Sequence, residues 1–240
     1  MTVSGADLIS NLKIRWIGQG GYILSDGTTT ICIDPYLSNV VDRVAKRGRM
    51  VEAPFYPEDL KCDAVICTHN HLDHVDIDAI PRVSKEILFL APTDANDTLL
   101  SCGVKKYIPF NEGDTYKIGD FEIEAVYAKH SVPAIGVVLH HLDRKLYISG
   151  DTEYDDRLET LSRENIDIMI VCINGKLGNM NVDEAVRLTN IISPRIGIPT
   201  HYGMFESNTE DPQKYTSLLE CGRELEYNKE YSVEEILSNV

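Results

Sequence analysis

Nothing in this chain approaches the length and apolarity of a membrane span, so integral membrane roles are set aside. The opening Met1-Thr2-Val3-Ser4-Gly5-Ala6-Asp7 has neither the basic segment nor the apolar run of an export signal, and a soluble cytoplasmic protein is expected. Positive charge is scarce: 23 Lys and Arg stand against 38 Asp and Glu, a formal net charge of −15. That balance repels polyanions at long range and, with no basic tail present, argues against an extended nucleic-acid partner. There is no Pro/Ser-rich linker, no low-complexity tract and no repeat at solenoid periods. A single domain over residues 1–240 is expected, and with 43% hydrophobic residues it has enough apolar material for a sizeable core. The six cysteines include no Cys-x-x-Cys pair, which leaves buried free thiols in a reducing compartment as the simplest account.

What is present concentrates in one place. Thr68-His69-Asn70-His71-Leu72-Asp73-His74 holds three of the seven histidines and a carboxylate. Imidazole with carboxylate suits Zn²⁺, Mn²⁺ or Fe²⁺ better than Ca²⁺ or Mg²⁺. The segment follows Asp63-Ala64-Val65-Ile66-Cys67, a short apolar run of buried-strand type, so its ligands leave directly from a strand end. Spacing by two pairs His69 with His71, and a helix beginning at Asp73 and His74 would aim those two across the same pocket. A solvated turn is the plainer alternative, outweighed by the density of ligand types. Cys67 falls within the strand rather than beyond it, so neither ligation nor nucleophilic chemistry is expected of it.

Three further residues repeat the pattern. His130 follows the alternating run Phe121-Glu122-Ile123-Glu124-Ala125-Val126-Tyr127, Asp151 follows Lys145-Leu146-Tyr147-Ile148, and His201 follows Arg195-Ile196-Gly197-Ile198. Taken singly, each has an ordinary hydrogen-bonding explanation. Loops at strand ends gather in layered α/β proteins, however, and together these make a set of five histidines and two aspartates. His140 and His141 adjoin a turn between strands, face opposite ways, and are read as structural, one half-buried and one exposed.

Strands are expected at about 12–17, 22–25, 30–34, 63–67, 87–91, 121–127, 136–141, 145–149, 168–173 and 195–199. Helices fit about 93–101, 154–163, 181–191 and 211–222, with Asn181 and Glu184 forming a capping box. Two packed sheets flanked by helices follow, although the periodicity leaves other α/β layer arrangements open.

The ordered set His69-x-His71-x-Asp73-His74, His130, Gly150-Asp151 and His201 resembles the ligand pattern of the metallo-β-lactamase superfamily. Gly18-Gln19-Gly20-Gly21-Tyr22, Ile33-Asp34-Pro35-Tyr36-Leu37-Ser38, Gly150-Asp151-Thr152-Glu153-Tyr154-Asp155 and Ile198-Pro199-Thr200-His201-Tyr202 extend the likeness over nearly the whole chain. Ile173-Asn174-Gly175-Lys176-Leu177-Gly178-Asn179-Met180-Asn181 points to the L-ascorbate-6-phosphate lactonase-like branch of metal-dependent hydrolases. The resemblance implies a four-layer αββα sandwich and one or two divalent ions, Zn or Mn. It implies one ion on His69, His71 and His130, a second on Asp73, His74 and His201, and Asp151 between them. Asp73 and His74 become the catalytic candidates, with Asp73 orienting or deprotonating a water that the metal has acidified for attack on a lactone or ester carbonyl. The resemblance also admits a homo-oligomer.

Substrate choice rests on other residues. Arg43-Val44-Ala45-Lys46-Arg47-Gly48-Arg49 is the densest basic stretch. Either it is a solvated loop, or one of its cations, Arg47 foremost, grips a substrate phosphate together with Lys176. Asn174 follows an apolar strand and is a further substrate-binding candidate, with a loop-stabilising Asn-Gly turn as the competing account. The leading expectation is a hydrolase opening the lactone of a phosphorylated sugar acid, with a small molecule as its partner. A phosphodiesterase or nuclease on the same scaffold and a non-catalytic metal-binding module are the alternatives.

Overall fold

The computed structural model describes residues 11–238; the seven N-terminal residues considered above lie outside that range. The first strands are β1 Lys13–Gly18, β2 Gly21–Ser25, β3 Thr30–Ile33, β4 Ala64–Ile66, β5 Leu88–Ala91 and β6 Lys106–Pro109. The remainder are β7 Thr115–Ile118, β8 Phe121–Tyr127, β9 Ile135–His141, β10 Arg144–Ile148, β11 Ile168–Cys172, β12 Ile196–Thr200 and β13 Glu230–Ser232. The helices are α1 Val40–Ala45, α2 Asn96–Ser101, α3 Val182–Ile192, α4 Pro212–Thr216 and α5 Val233–Ser238.

Two mixed sheets result, of order β13-β1-β2-β3-β4-β5-β6 and β12-β11-β10-β9-β8-β7. Strand period decides which side chains meet between them. In β4, Ala64 and Ile66 join Tyr22, Leu24 and Ile33 in the core shared with Phe121, Ile123, Val137 and Leu139 of the second sheet. The alternate Val65 and Cys67 turn outward to pack with Phe89 and Leu99 under α2. The second sheet is covered by α3, whose buried Ala185, Leu188, Thr189 and Ile192 recur at helical spacing. Each fully buried Leu, Ile or Phe contributes about 1.5–3 kcal/mol, so this inter-sheet layer dominates the stability. The arrangement is the expected αββα sandwich.

α3 begins where expected: Asn181 Oδ1 accepts from the Glu184 N–H and Glu184 Oε2 from the Asn181 N–H, each at 3.0 Å. Other expected helices differ. Residues 93–101 divide into a 3₁₀ turn at Thr93–Ala95 and α2, and 154–163 is a 3₁₀ helix over Asp156–Arg163. The helix expected to reach residue 222 stops at Thr216 because the chain beyond it bonds the sheet edge: Gly197 N–H donates to Cys221 O and Arg223 N–H to Gly197 O. Strands β6, β7 and β13 and helices α1 and α5 were not expected. Among the described residues no helix is long and apolar enough to cross a membrane.

β3 and β4 run parallel, as do β10, β11 and β12. Their C-terminal ends open on one edge of the sandwich, where the loops carrying Asp34, His69, Asp151, Asn174 and His201 meet.

Candidate metal centre

The centre is assembled on Asp34, the residue following β3, which is wholly buried and held at φ +43°. Its Oδ1 accepts from the Thr68 N–H and its Oδ2 from Thr68 Oγ1, both at 2.7 Å. The same Oδ2 lies 2.7 Å from His74 Nδ1, which donates to it. With its proton given to Asp34, Thr68 Oγ1 accepts from His69 Nδ1 at 3.1 Å. His130 Nδ1 donates to Gly178 O at 2.9 Å. Each of these three imidazoles therefore spends its Nδ1–H on a neighbour and turns Nε2 inward, the atom through which it would ligate. Gly178 makes this possible: at φ +86°, a Cβ there would stand 2.8 Å from His130 Nδ1.

The expected helix at Asp73 and His74 is absent. A single turn, in which the N–H groups of His74 and Val75 both bond His71 O, carries the two side chains to the second half of the pocket. Four residues suffice for that reversal, so no helix is needed. Asp151 arrives from β10 through Gly150, whose φ is +57° and whose Cβ would lie 3.0 Å from both Thr68 Cβ and Ile135 O. His201 leaves β12 at φ +63°.

All seven expected ligand residues meet here. His71 Nδ1 is 3.0 Å from His69 Nε2 and 3.2 Å from His130 Nε2. Asp151 Oδ1 is 3.4 Å from His74 Nε2 and 3.1 Å from His201 Nε2, while Asp73 Oδ2 is 3.7 Å from each of the same two nitrogens. Donors bound at about 2.1 Å around a four-coordinate ion stand roughly 3.4 Å apart, so both groups are spaced for a cation. Two of these atoms, His74 Nε2 and Asp151 Oδ1, are buried with no hydrogen-bond partner. Leaving them so costs about 1–3 kcal/mol each or more, a cost a bound cation would remove. The residues fit a divalent metal ion.

Burial, reinforced by the neighbouring imidazoles, pushes His69 well below the ordinary histidine range and lowers His71 as well, so both are neutral and ready to ligate at neutral pH. Burial also acts to lower His74, but the carboxylates of Asp34, Asp151 and Asp73 outweigh it and hold the imidazole well above its usual value. Burial would raise Asp151; His201 and His74 overcome that and keep it far below the carboxylate range. A positive charge is favoured at the centre of this cluster.

Over the centre opens a cavity of about 460 Å³, floored by His71, Asp73, Asp151 and His201. Val41, Ala45, Leu72, Leu177 and Phe205 form its apolar walls, and Arg47, Ser131 and Asn208 are its other polar side chains. Among the described residues Arg47 makes no hydrogen bond or ion pair. Its basic neighbours are engaged elsewhere: Arg43 grips Asp78 with two bonds, and Arg49 donates to the carbonyls of Tyr36, Ser38 and Val51 while lying over the Tyr36 ring.

The other two substrate-binding candidates lie outside the cavity lining. Lys176 is exposed and donates to Ser207 O. Asn174 is buried, with its Nδ2 donating to Asn208 Oδ1 at 2.7 Å and its Oδ1 accepting from Asn179 Nδ2 at 3.0 Å. Its amide is spent on anchoring Asn208, which does face the cavity. Cys67 belongs to the outer core. His141 is buried beside Asp26 and Phe121 and His140 is half-buried, so neither is the exposed histidine expected there. Reading the sequence missed Asp34 and Gln19. Asp34 ends a strand as the ligands do, and that was a usable signal; Gln19 offered none beyond its glycine-rich setting.

The model of the beta-lactamase superfamily domain matches residues 29–202. A UPF0173 metal-dependent hydrolase of Oenococcus oeni is 30% identical over 230 residues, covering 88% of this chain and 94% of that protein. Another, of Thermoplasma acidophilum, is 29% identical and covers 88% and 92%. Among solved structures, the metallo hydrolase Igni18 of Ignicoccus hospitalis superposes with a TM-score of 0.76 at 20% identity, covering 92% of this chain and 97% of its own. An isothiocyanate hydrolase from Delia radicum gut bacteria also gives 0.76, at 22% identity, covering 91% and 98%. At these identities the two superpositions speak for the fold alone.

Proposed function

The chain belongs to the metallo-β-lactamase superfamily, among the UPF0173 metal-dependent hydrolases, and we propose that it cleaves the ester or lactone bond of a small molecule bearing one anionic group. The observation that carries this reading is the juxtaposition of a cation-demanding His/Asp floor with one unengaged guanidinium inside the same cavity.

His69, His71 and His130 would hold one divalent ion, and Asp73, His74 and His201 a second, with Asp151 shared. Such a metal, when bound, would lower the pKa of water to about 7 and polarise the oxygen of the bond under attack. The protein's own residues do the rest. Asp73, the partly exposed carboxylate of the floor, orients the attacking water and takes up its proton. Arg47 binds the substrate's anion through its planar fork and fixes which end enters first. Leu72, Leu177 and Phe205 give the cavity apolar walls around this polar floor.

A phosphorylated sugar-acid lactone of the L-ascorbate-6-phosphate type meets the anionic requirement. A phosphodiesterase acting on nucleic acid fits less well, because among the described residues the cavity offers a single unpaired cation and the chain carries a net charge of −15. Metal-loaded protein assayed on L-ascorbate 6-phosphate, its unphosphorylated analogue and a phosphodiester is expected to turn over the phosphorylated lactone with the highest kcat/KM. Turnover of the diester alone would replace this reading with the phosphodiesterase. No turnover of any substrate at metal saturation would favour the non-catalytic module.

A further inference from the structure

Gln19 lies in the hairpin between β1 and β2, wholly buried and at φ +51°, a left-handed backbone conformation that residues bearing a Cβ rarely adopt. Three donors hold it there. Its carbonyl accepts from Trp16 Nε1 at 3.0 Å, Thr200 Oγ1 at 2.9 Å and the His201 N–H at 3.3 Å.

The side chain reaches the metal centre. Gln19 Nε2 donates to Asp73 Oδ2 at 2.8 Å and lies 2.9 Å from His201 Nε2. Asp73 Oδ2 is the oxygen standing 3.7 Å from both His74 Nε2 and His201 Nε2, and so the atom this carboxylate presents to the second metal position. The orientation of the amide follows from that contact, since its other orientation would set two oxygens against each other. Gln19 Oε1 is then left buried without a partner. A polar group kept in that state at a cost of about 1–3 kcal/mol needs a compensating role.

We infer that Gln19 is a positioning residue for the second metal position: its amide N–H holds Asp73 Oδ2 in place, so that the Asp73–His74–His201 group meets an incoming ion ready-formed. Asp73 sits on a four-residue turn and is partly exposed, so without this bond the carboxylate is free to swing toward solvent. The first position, on His69, His71 and His130, has its own anchors in Thr68 and Gly178 and does not depend on Gln19.

The inference rests on the metal-centre reading and not on the substrate. Metal-stripped protein is titrated with Zn²⁺ alone against a competing chelator, for wild type, Gln19→Leu and Gln19→Met. Both replacements lack the donor and meet the same backbone constraint, and unfolding of the metal-free proteins is followed in parallel. In a variant that keeps the wild-type metal-free melting temperature, the first binding step is expected to be unchanged and the second weakened by about tenfold or more, the usual effect of removing such a partner. Unchanged steps, a tightened second step or equal weakening of both would overturn the inference. So would loss of the metal-free fold in both variants, or a wild type that takes up one ion only. A wild type that binds no ion would bring down the metal-centre reading as well.

Discussion

Replacing Asp34 by Asn keeps the shape of the residue while reversing the two hydrogen bonds at its Oδ2 position, those from Thr68 Oγ1 and His74 Nδ1. Asp34 Oδ1 still accepts from the Thr68 N–H. At the Oδ2 position an NH₂ group now faces both Thr68 Oγ1 and His74 Nδ1, each 2.7 Å away; the hydroxyl has a second lone pair and can accept from it while still accepting from His69 Nδ1, but His74 Nδ1 must change from donor to acceptor. The imidazole proton moves to Nε2, the atom aimed at Asp73 and Asp151, and blocks the lone pair that would bind the ion. Disturbing a ligand's hydrogen-bonding partner typically costs 10–100-fold in metal affinity, or about 1.4–2.8 kcal/mol. The metal-free protein also loses a carboxylate from a buried charged pair, worth roughly 3–5 kcal/mol, against a total stability of about 5–15 kcal/mol. Stepwise metal titration and urea unfolding of Asp34→Asn measure the two effects separately. The second step should weaken by one to two orders of magnitude with the first little changed. Wild-type affinities for both ions would refute the assigned tautomer, and loss confined to the first step would refute the division into two positions.

Three further outcomes are expected. His71→Ala and Asp151→Ala should abolish hydrolysis and lower metal content, while His140→Ala leaves both near normal; equal losses in all three variants would contradict the ligand set. Arg47→Ala should raise KM for a phosphorylated lactone by about tenfold or more, consistent with a charge-assisted bond of 1.5–3 kcal/mol, and leave the unphosphorylated analogue nearly unchanged; an equal rise for both would remove its role as the anion's partner. At Asp26, burial acts to raise the pKa, but the N–H groups of Thr29 and Thr28 and the His141 ring outweigh it and hold the carboxylate below its ordinary range. A depressed folded-state pKa contributes stability above the unfolded value of about 3.9 and loses it as pH falls through the folded one. Asp26→Asn should therefore flatten the fall in unfolding free energy below about pH 4, and a slope matching wild type would show the carboxylate to be uninvolved.

The sequence was most legible where one physical requirement dominates. The buried parallel strands β4, β11 and β12 are nearly pure apolar runs, and the ligands that follow them carry distinctive chemistry. Edge strands are harder to read: Lys106–Pro109 and Thr115–Ile118 are only partly buried and so lack a strong pattern. α4 ends earlier than its sequence pattern suggests because its end is set by pairing of the chain around Cys221 with Gly197, a tertiary contact that no local propensity reports. The same distinction separates the site residues. His69, His71 and Asp151 declare themselves by type, whereas Asn174 has the type and position of a substrate contact although its amide is committed to Asn208 and Asn179. Gln19 acts through Asp73, 54 positions away, which spacing along the chain cannot reveal.

The central claim is that the seven donors form a centre for two divalent ions. Counting metal per chain after saturation and removal of excess, in wild type and in Asp73→Ala, tests it most directly. Two ions in the wild type and one in Asp73→Ala are predicted; a wild type that retains no ion, or an Asp73→Ala variant that still holds two, would contradict the account.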